Sequence, residues 1–132
     1  MRNNELNIFN IGTDLIEVKR IKRIVEKYPA FLKKIYTETE INYCIRKNRV
    51  LYECFASRFA AKEAVAKSLG QGIGKNIFFK EINIGNDKDG KPVVSLSGRT
   101  LSYAKIHKIK DIILTISSTR SYCVAFATAL SE

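Results

Sequence analysis

Arg58-Phe59-Ala60-Ala61-Lys62-Glu63-Ala64-Val65-Ala66-Lys67 is a helix-forming run that sets one carboxylate among alanines and cations. Alanine leads the helix propensities, and the pattern extends the helix from about Val50 to Leu69, where Gly70 stops it. At about 100° per residue, Leu51, Phe55, Phe59, Ala66 and Leu69 form one apolar stripe. Glu63 falls roughly 40° beyond Phe59, at the edge of that stripe, with Lys67 one turn further on. Ala56, Ala60 and Ala64 read as neighbours too small to cover Glu63, which leaves room for a metal and a ligand. Lys62 projects into the stripe itself, where either a function or a snorkelling stem would explain it. An i,i+4 Glu63–Lys67 pair on a solvated face is the plain alternative.

A second carboxylate stands near the start of the chain. The apolar run from Ile8 to Ile11 leads into Gly12-Thr13-Asp14, at the exit of a strand expected over Phe9 to Leu15. Two acids among lysines and arginines suit a divalent metal serving a polyanion: oxygen ligands favour Mg²⁺, and cations favour phosphate.

The rest of the pattern alternates short helices with hairpins. Ile16, Val18, Ile21, Ile24 and Val25 mark an amphipathic helix closed by Pro29, and Thr37 with Glu40 forms a capping box for a helix to about Ile45. Ile82 to Ile84 and Val93 to Leu96 flank the turn formers Asn86 to Gly90. Ser97 is placed to cap a basic helix to about Lys110. Ile112 to Ile116 and Tyr122 to Ala129 close the chain as a second strand pair. Helices among hairpin-connected strands indicate an α+β fold, antiparallel strands packed with a long central helix, in one domain over residues 1–132. Phe55, Phe59, Tyr122 and Phe126 sit at core-facing spacing.

The composition, with 132 residues and 45% hydrophobic content, allows a single real core. A formal charge of +10 attracts an acidic partner from a distance, whether nucleic acid, anionic membrane or protein. Cys44, Cys54 and Cys123 are odd in number without CxxC spacing, so reduced thiols are expected. The polar opening Met1 to Asn7 has no signal-peptide core and no run is long enough for a membrane span, which predicts a cytoplasmic protein. Asp87-Lys88-Asp89-Gly90 reads as a plain turn, Gly70-Gln71-Gly72-Ile73-Gly74 as a helix C-cap with its exit, and His107, the one histidine, as a surface residue.

Ile11-Gly12-Thr13-Asp14 with Glu17 and Arg20, followed by Arg58-Phe59-Ala60-Ala61-Lys62-Glu63-Ala64 with Lys67, resembles the holo-acyl-carrier-protein synthases, the small bacterial 4'-phosphopantetheinyl transferases. The resemblance spans nearly the whole chain, through Gly70 to Gly74, the Asp89-Gly90-Lys91-Pro92 hairpin and Thr115 to Thr119. It implies that the phosphopantetheine arm of coenzyme A moves onto a serine of apo acyl carrier protein, leaving adenosine 3',5'-bisphosphate, in support of fatty acid biosynthesis. Acyl carrier proteins are acidic, so the resemblance selects a protein partner over nucleic acid or membrane.

The resemblance also assigns roles. Asp14 and Glu63 would hold Mg²⁺, and Glu63, directly or through a water on the metal, would take the serine's proton. Lys67 would stabilise charge on the leaving phosphate. Arg58, Lys62, Gly70, Ser118 and Thr119 would contact coenzyme A, the guanidinium of Arg58 being suited to phosphate. Arg20 and Arg23 would receive the carrier's acidic helix. A homotrimer with sites between subunits is implied as well. The family's usual Ser-His-Thr reads Ser117-Ser118-Thr119 here, so Arg120 or Lys110 is the expected substitute donor. An RNA-binding module and a catalytically silent carrier-binding relative are the competing readings. Salt-steep binding without carrier preference would mark the first, and absence of turnover the second.

Overall fold

The computed structural model describes residues 5–132, so part of the polar opening, residues 1–4, lies outside the described residues. The chain runs β1 (Asn7–Glu17), α1 (Val18–Lys27), α2 (Phe31–Ile35), α3 (Glu38–Lys47), α4 (Leu51–Ser68), β2 (Ile82–Asn86), β3 (Pro92–Leu96), α5 (Gly98–Ile106), β4 (Ile109–Ser118) and β5 (Tyr122–Ser131). β1, β5 and β4 form an antiparallel sheet in that order, and β2 pairs with β3 as a separate ribbon. The α+β class stands as expected.

Local chemistry explains most boundaries. Thr37 and Glu40 close the predicted capping box, each side chain accepting from the other's backbone N–H. Asp87 Oδ1 accepts from the N–H groups of Asp89 and Lys91, which fixes the β2–β3 turn. Gly70, at φ 94°, ends α4 by donating to the Lys67 carbonyl. The basic helix after Ser97 is shorter than predicted. Its N-terminus is capped by Glu81, whose carboxylate accepts from the Arg99 and Thr100 N–H groups, while the Ser97 side chain makes no cap bond. Lys108, at φ 60°, turns the chain into β4, which claims residues from Ile109 onward.

α4 is the axis of the molecule. It carries ten buried residues and packs on β1, β5, β4, α1, α3 and β2, so its burial extends well beyond one stripe. Gly12 lets it lie almost backbone to backbone on β1: a Cβ there would sit 2.1 Å from the Ala64 carbonyl oxygen and 2.7 Å from Lys67 Cβ. Ala56, Ala60 and Ala64 are fully buried, as are Ala127 and Ala129 of β5. These alanines therefore serve close packing of α4 against its neighbours, and they do not line an open space as the sequence reading expected. On the other side of the helix, Phe55 packs on Tyr36, and Phe59 stacks between Phe31 and Phe79.

Two expectations about the sheet and the cysteines are overturned. On β5 it is Cys123, Ala125, Ala127 and Ala129 that face α4, so Tyr122 and Phe126 point away from the core, 50% and 43% exposed. Strand period fixes this: once the alanines meet the helix, every alternate residue must face outward. Leu15, Ile11 and Ile113 share that outer face, lying in cross-strand rows with Val124 and Thr128. Cys44 and Cys54 are joined by a disulfide across a separation of 10 residues, and only Cys123 is free. Spacing along the chain could not show that α3 and α4 bring two sulfurs together. Among the described residues no helix is long and apolar enough to cross a membrane.

Candidate active site

Asp14 projects from the inner face of β1, opposite Ala125, toward the C-terminal half of α4. Lys67 Nζ donates to the Thr13 carbonyl at 3.0 Å and pairs with Asp14 Oδ1 at 3.4 Å. Glu63 stands one turn before Lys67 and is half-buried. Burial first, and then the charge of Asp14, raise the Glu63 carboxyl above its ordinary pKa, with Lys67 opposing. Burial likewise raises Asp14, against the pull of Lys67 and then Arg20. Two carboxylates, far apart in sequence, thus lie near enough for the charge of one to act on the other, with the Lys67 ammonium acting on both. Thr13 steadies the strand by donating its hydroxyl to the Ala125 carbonyl at 3.0 Å.

That arrangement fits a divalent cation of the Mg²⁺ type. Among the described residues no group of three or more His, Cys, Asp and Glu side chains converges, as a closed zinc or calcium cage would require. Mg²⁺ commonly takes one or two carboxylates and completes its shell with water and substrate phosphates. Asp14 and Glu63 supply two, and their mutual repulsion is what a cation relieves.

Arg58 and Ser118 lie elsewhere, in a depression that they share with Tyr43, Lys47, Cys54 and Ser57. Ser118 sits on β4 opposite Cys123, whereas Asp14 sits on β1 opposite Ala125, with β5 between them. Two strand spacings and two residues of rise separate them by about 12 Å of backbone. On α4, Arg58 and Glu63 point roughly 140° apart. Arg58 is 6% exposed, with its guanidinium 4.6 Å from the Tyr43 ring centre and donating to Asn86 Oδ1, and its Nε is buried without a partner. Thr119 has its hydroxyl oxygen in the β4–β5 turn, accepting from the N–H groups of Ser121 and Tyr122. Gly70 is exposed beside Phe9 and Asn10, one turn past Lys67.

Lys62 corrects the sequence reading most sharply. It is fully buried, 2.9 Å from Glu40 Oε1, and it also donates to the carbonyls of Phe79 and Ile82. An ammonium has three donors, and all three are used. While it holds this core pair, Lys62 has no donor free for a phosphate of coenzyme A. Lys110 is likewise excluded as a donor near Ser118: it pairs with Glu132 Oε1 at 2.7 Å, and eight residues of strand set it about 26 Å away. Arg20 and Arg23 are exposed on α1, whose buried Val18 and Ile21 turn the opposite face inward.

Tyr43, Asn86 and Glu40 were not found by sequence reasoning. Tyr43 lies on an amphipathic helix, Asn86 in a turn and Glu40 in a capping box, and each of those local roles hides the tertiary one. Glu40 shows both: Oε1 accepts from the Thr37 N–H and Lys62, and Oε2 from the Ile84 N–H.

The 4'-phosphopantetheinyl transferase superfamily model matches residues 10–127. The holo-[acyl-carrier-protein] synthase of Halothermothrix orenii is 46% identical over 120 residues, 90% of this chain and 94% of that one. The crystal structure of the Neisseria meningitidis synthase superposes with a TM-score of 0.87 at 34% identity, covering 93% of this chain and 98% of that one. The Bacillus anthracis synthase, solved in complex with CoA (3',5'-ADP), gives 0.79 at 36% identity, over 95% and 98%. With the family model matched over most of the chain, and sequence and fold both shared at this level, the chain belongs to the holo-[acyl-carrier-protein] synthases of the 4'-phosphopantetheinyl transferase superfamily.

Proposed function

We propose that the chain moves the 4'-phosphopantetheine group of coenzyme A onto a serine of apo acyl carrier protein, releasing adenosine 3',5'-bisphosphate, in the cytoplasm and for fatty acid biosynthesis. The observation that carries this reading is the opposed pair Asp14 and Glu63 with Lys67 beside it. Bound at those carboxylates, Mg²⁺ would neutralise the pyrophosphate and polarise the phosphorus under attack.

The chain's own residues do the remainder. Glu63, made more basic by burial and by Asp14, accepts the serine hydroxyl proton as the serine oxygen bonds to phosphorus. The pyrophosphate P–O bond breaks on the far side, and Lys67 meets the charge that develops on the leaving phosphate. Arg58, nine-tenths buried with an unpartnered Nε, supplies a fixed cation for a further phosphate of the nucleotide, with Ser118 in the same depression and Thr119 next to it in sequence.

A homotrimer with shared sites is part of the same reading. Two features support it: Arg58 and Ser118 lie on a different flank of α4 from Asp14 and Glu63, and the outer sheet face leaves Ile11, Leu15, Ile113 and Phe126 uncovered. A second subunit seated on that face would bring one chain's Arg58 side toward its neighbour's carboxylates. Intact-mass measurement of apo acyl carrier protein after incubation with coenzyme A, Mg²⁺ and the chain tests the function. The carrier should gain one arm, and an unmodified carrier at full incubation would refute the reading.

Carrier docking has its own test. Arg20 is near enough for its charge to act on Asp14, so the basic face of α1 adjoins the chemistry. Replacing Arg20 and Arg23 with Glu should raise the carrier KM about tenfold or more and flatten its salt dependence, while coenzyme A binding changes less than about twofold. Equal loss of both affinities would assign these residues to the nucleotide or the fold.

A further inference from the structure

The Cys44–Cys54 bond joins α3 to α4 at the edge of the depression that holds Arg58. Tyr43 precedes Cys44, and Arg58 follows Cys54 by one helical turn, so the two side chains that meet face to ring at 4.6 Å are each carried by a bonded cysteine's neighbourhood. Lys47, another residue lining the depression, lies 5.0 Å from the Tyr43 ring centre. Between the two cysteines the chain passes through Asn48, at φ 41°, and residues 45–50 are all exposed. Apart from the disulfide, little covers this connector. Cys44 is fully buried, whereas Cys54 is half-buried and lines the depression, which makes its sulfur the accessible one.

We propose that Cys44–Cys54 is a redox-sensitive clamp on the Arg58 side of the site: closed, it holds the Tyr43 ring against Arg58, with Lys47 on the same ring, and favours nucleotide binding, and opened by a dithiol it releases the end of α3 and weakens that hold. The inference rests on the reading that this depression takes a nucleotide phosphate. A dithiol's thiolate attacks Cys54 Sγ, the S–S electron pair leaves with Cys44 Sγ, and Cys44 takes a proton. The dithiol's second thiolate then attacks its own sulfur in the mixed disulfide, expelling the Cys54 thiolate, which is protonated in turn. The dithiol is oxidised to its cyclic disulfide by two electrons, and the protein gains two thiols. A reducing compartment, where disulfides are rare, is where such a bond acts as a sensor. Tyr43 and Lys47 are positioning residues here. Asp14 and Glu63 stand on the other flank, and their chemistry is untouched.

The experiment compares the oxidised chain with the chain reduced by dithiothreitol and alkylated, thiol state being read by intact mass. Reduction should raise the coenzyme A KM and the Kd for adenosine 3',5'-bisphosphate about tenfold, while kcat and the carrier KM change less than about twofold. The Cys44→Ser/Cys54→Ser variant should match the reduced chain and ignore the reductant. Tyr43→Ala in the oxidised chain should reproduce the rise with the disulfide intact, and Tyr43→Phe, which keeps the ring, should not. Equal nucleotide affinity in both thiol states overturns the clamp and leaves the function standing, as does a double variant that still answers to dithiothreitol. An oxidised chain that binds no coenzyme A refutes the functional reading, and the clamp falls with it. Two free thiols persisting after treatment with oxidised dithiothreitol would also overturn it.

Discussion

Glu63→Gln lowers kcat/KM for phosphopantetheine transfer by about 10³-fold or more, and Asp14→Ala does the same, while each variant remains folded. Glu63→Gln also gains stability at neutral pH. A carboxyl whose pKa is raised in the folded chain binds its proton more readily folded than unfolded, so its ionised form costs stability once pH exceeds that raised value. Removing the charge relieves Asp14, and the melting temperature at neutral pH should rise. The wild-type acid limb should lie above the ordinary carboxylate range and move to lower pH as Mg²⁺ is increased, because metal and proton compete for the same oxygens. Near-normal turnover in either variant, or an acid limb indifferent to Mg²⁺, would remove the shared metal from the mechanism.

The legibility of this site from sequence divides along a physical line. Asp14 and Glu63 were readable because each follows a local pattern, strand alternation and a helix face, which predicts where a side chain leaves its element, although β1 continues to Glu17 and so sets Asp14 within the strand and not at its exit. The capping box at Thr37 and Glu40 and the hairpin at Asp87 to Gly90 were legible for the same reason. What failed depended on which neighbour claimed a face. Strand period alone leaves β5 a choice between burying Phe126 and burying Ala125, and α4 makes that choice, because Gly12 brings the helix close to the sheet, where Ala125, Ala127 and Ala129 fit beneath it. The Cys44–Cys54 bond needs the crossing of α3 and α4, which no spacing encodes. Lys62 is the case where a motif misled: a cation beside Glu63 in sequence points away from it in space, since adjacent helical residues diverge by about 100°.

Lys62→Met should destabilise the chain by about 3–5 kcal/mol, because it leaves the Glu40 carboxylate buried and unpaired. Glu40→Ala should cost a similar amount from the other side, stranding an ammonium that burial already pushes below the ordinary lysine pKa and that Glu40 alone pulls back. The loss is larger than for a surface pair, which is worth about 0–1 kcal/mol, since neither charge here can turn to water. Glu40 also accepts from the N–H groups of Thr37 and Ile84, and Lys62 donates to the Phe79 and Ile82 carbonyls, so one ion pair ties α4 to both α3 and the start of β2. The decisive comparison is stability against affinity. Assayed at a temperature where it remains folded, Lys62→Met should keep its coenzyme A KM within about threefold of wild type while its denaturation midpoint falls steeply. A phosphate ligand would behave in the opposite way, with the KM rising tenfold or more at unchanged stability. That outcome would mean Lys62 leaves Glu40 to reach the substrate, and the fixed core pair described here would be wrong.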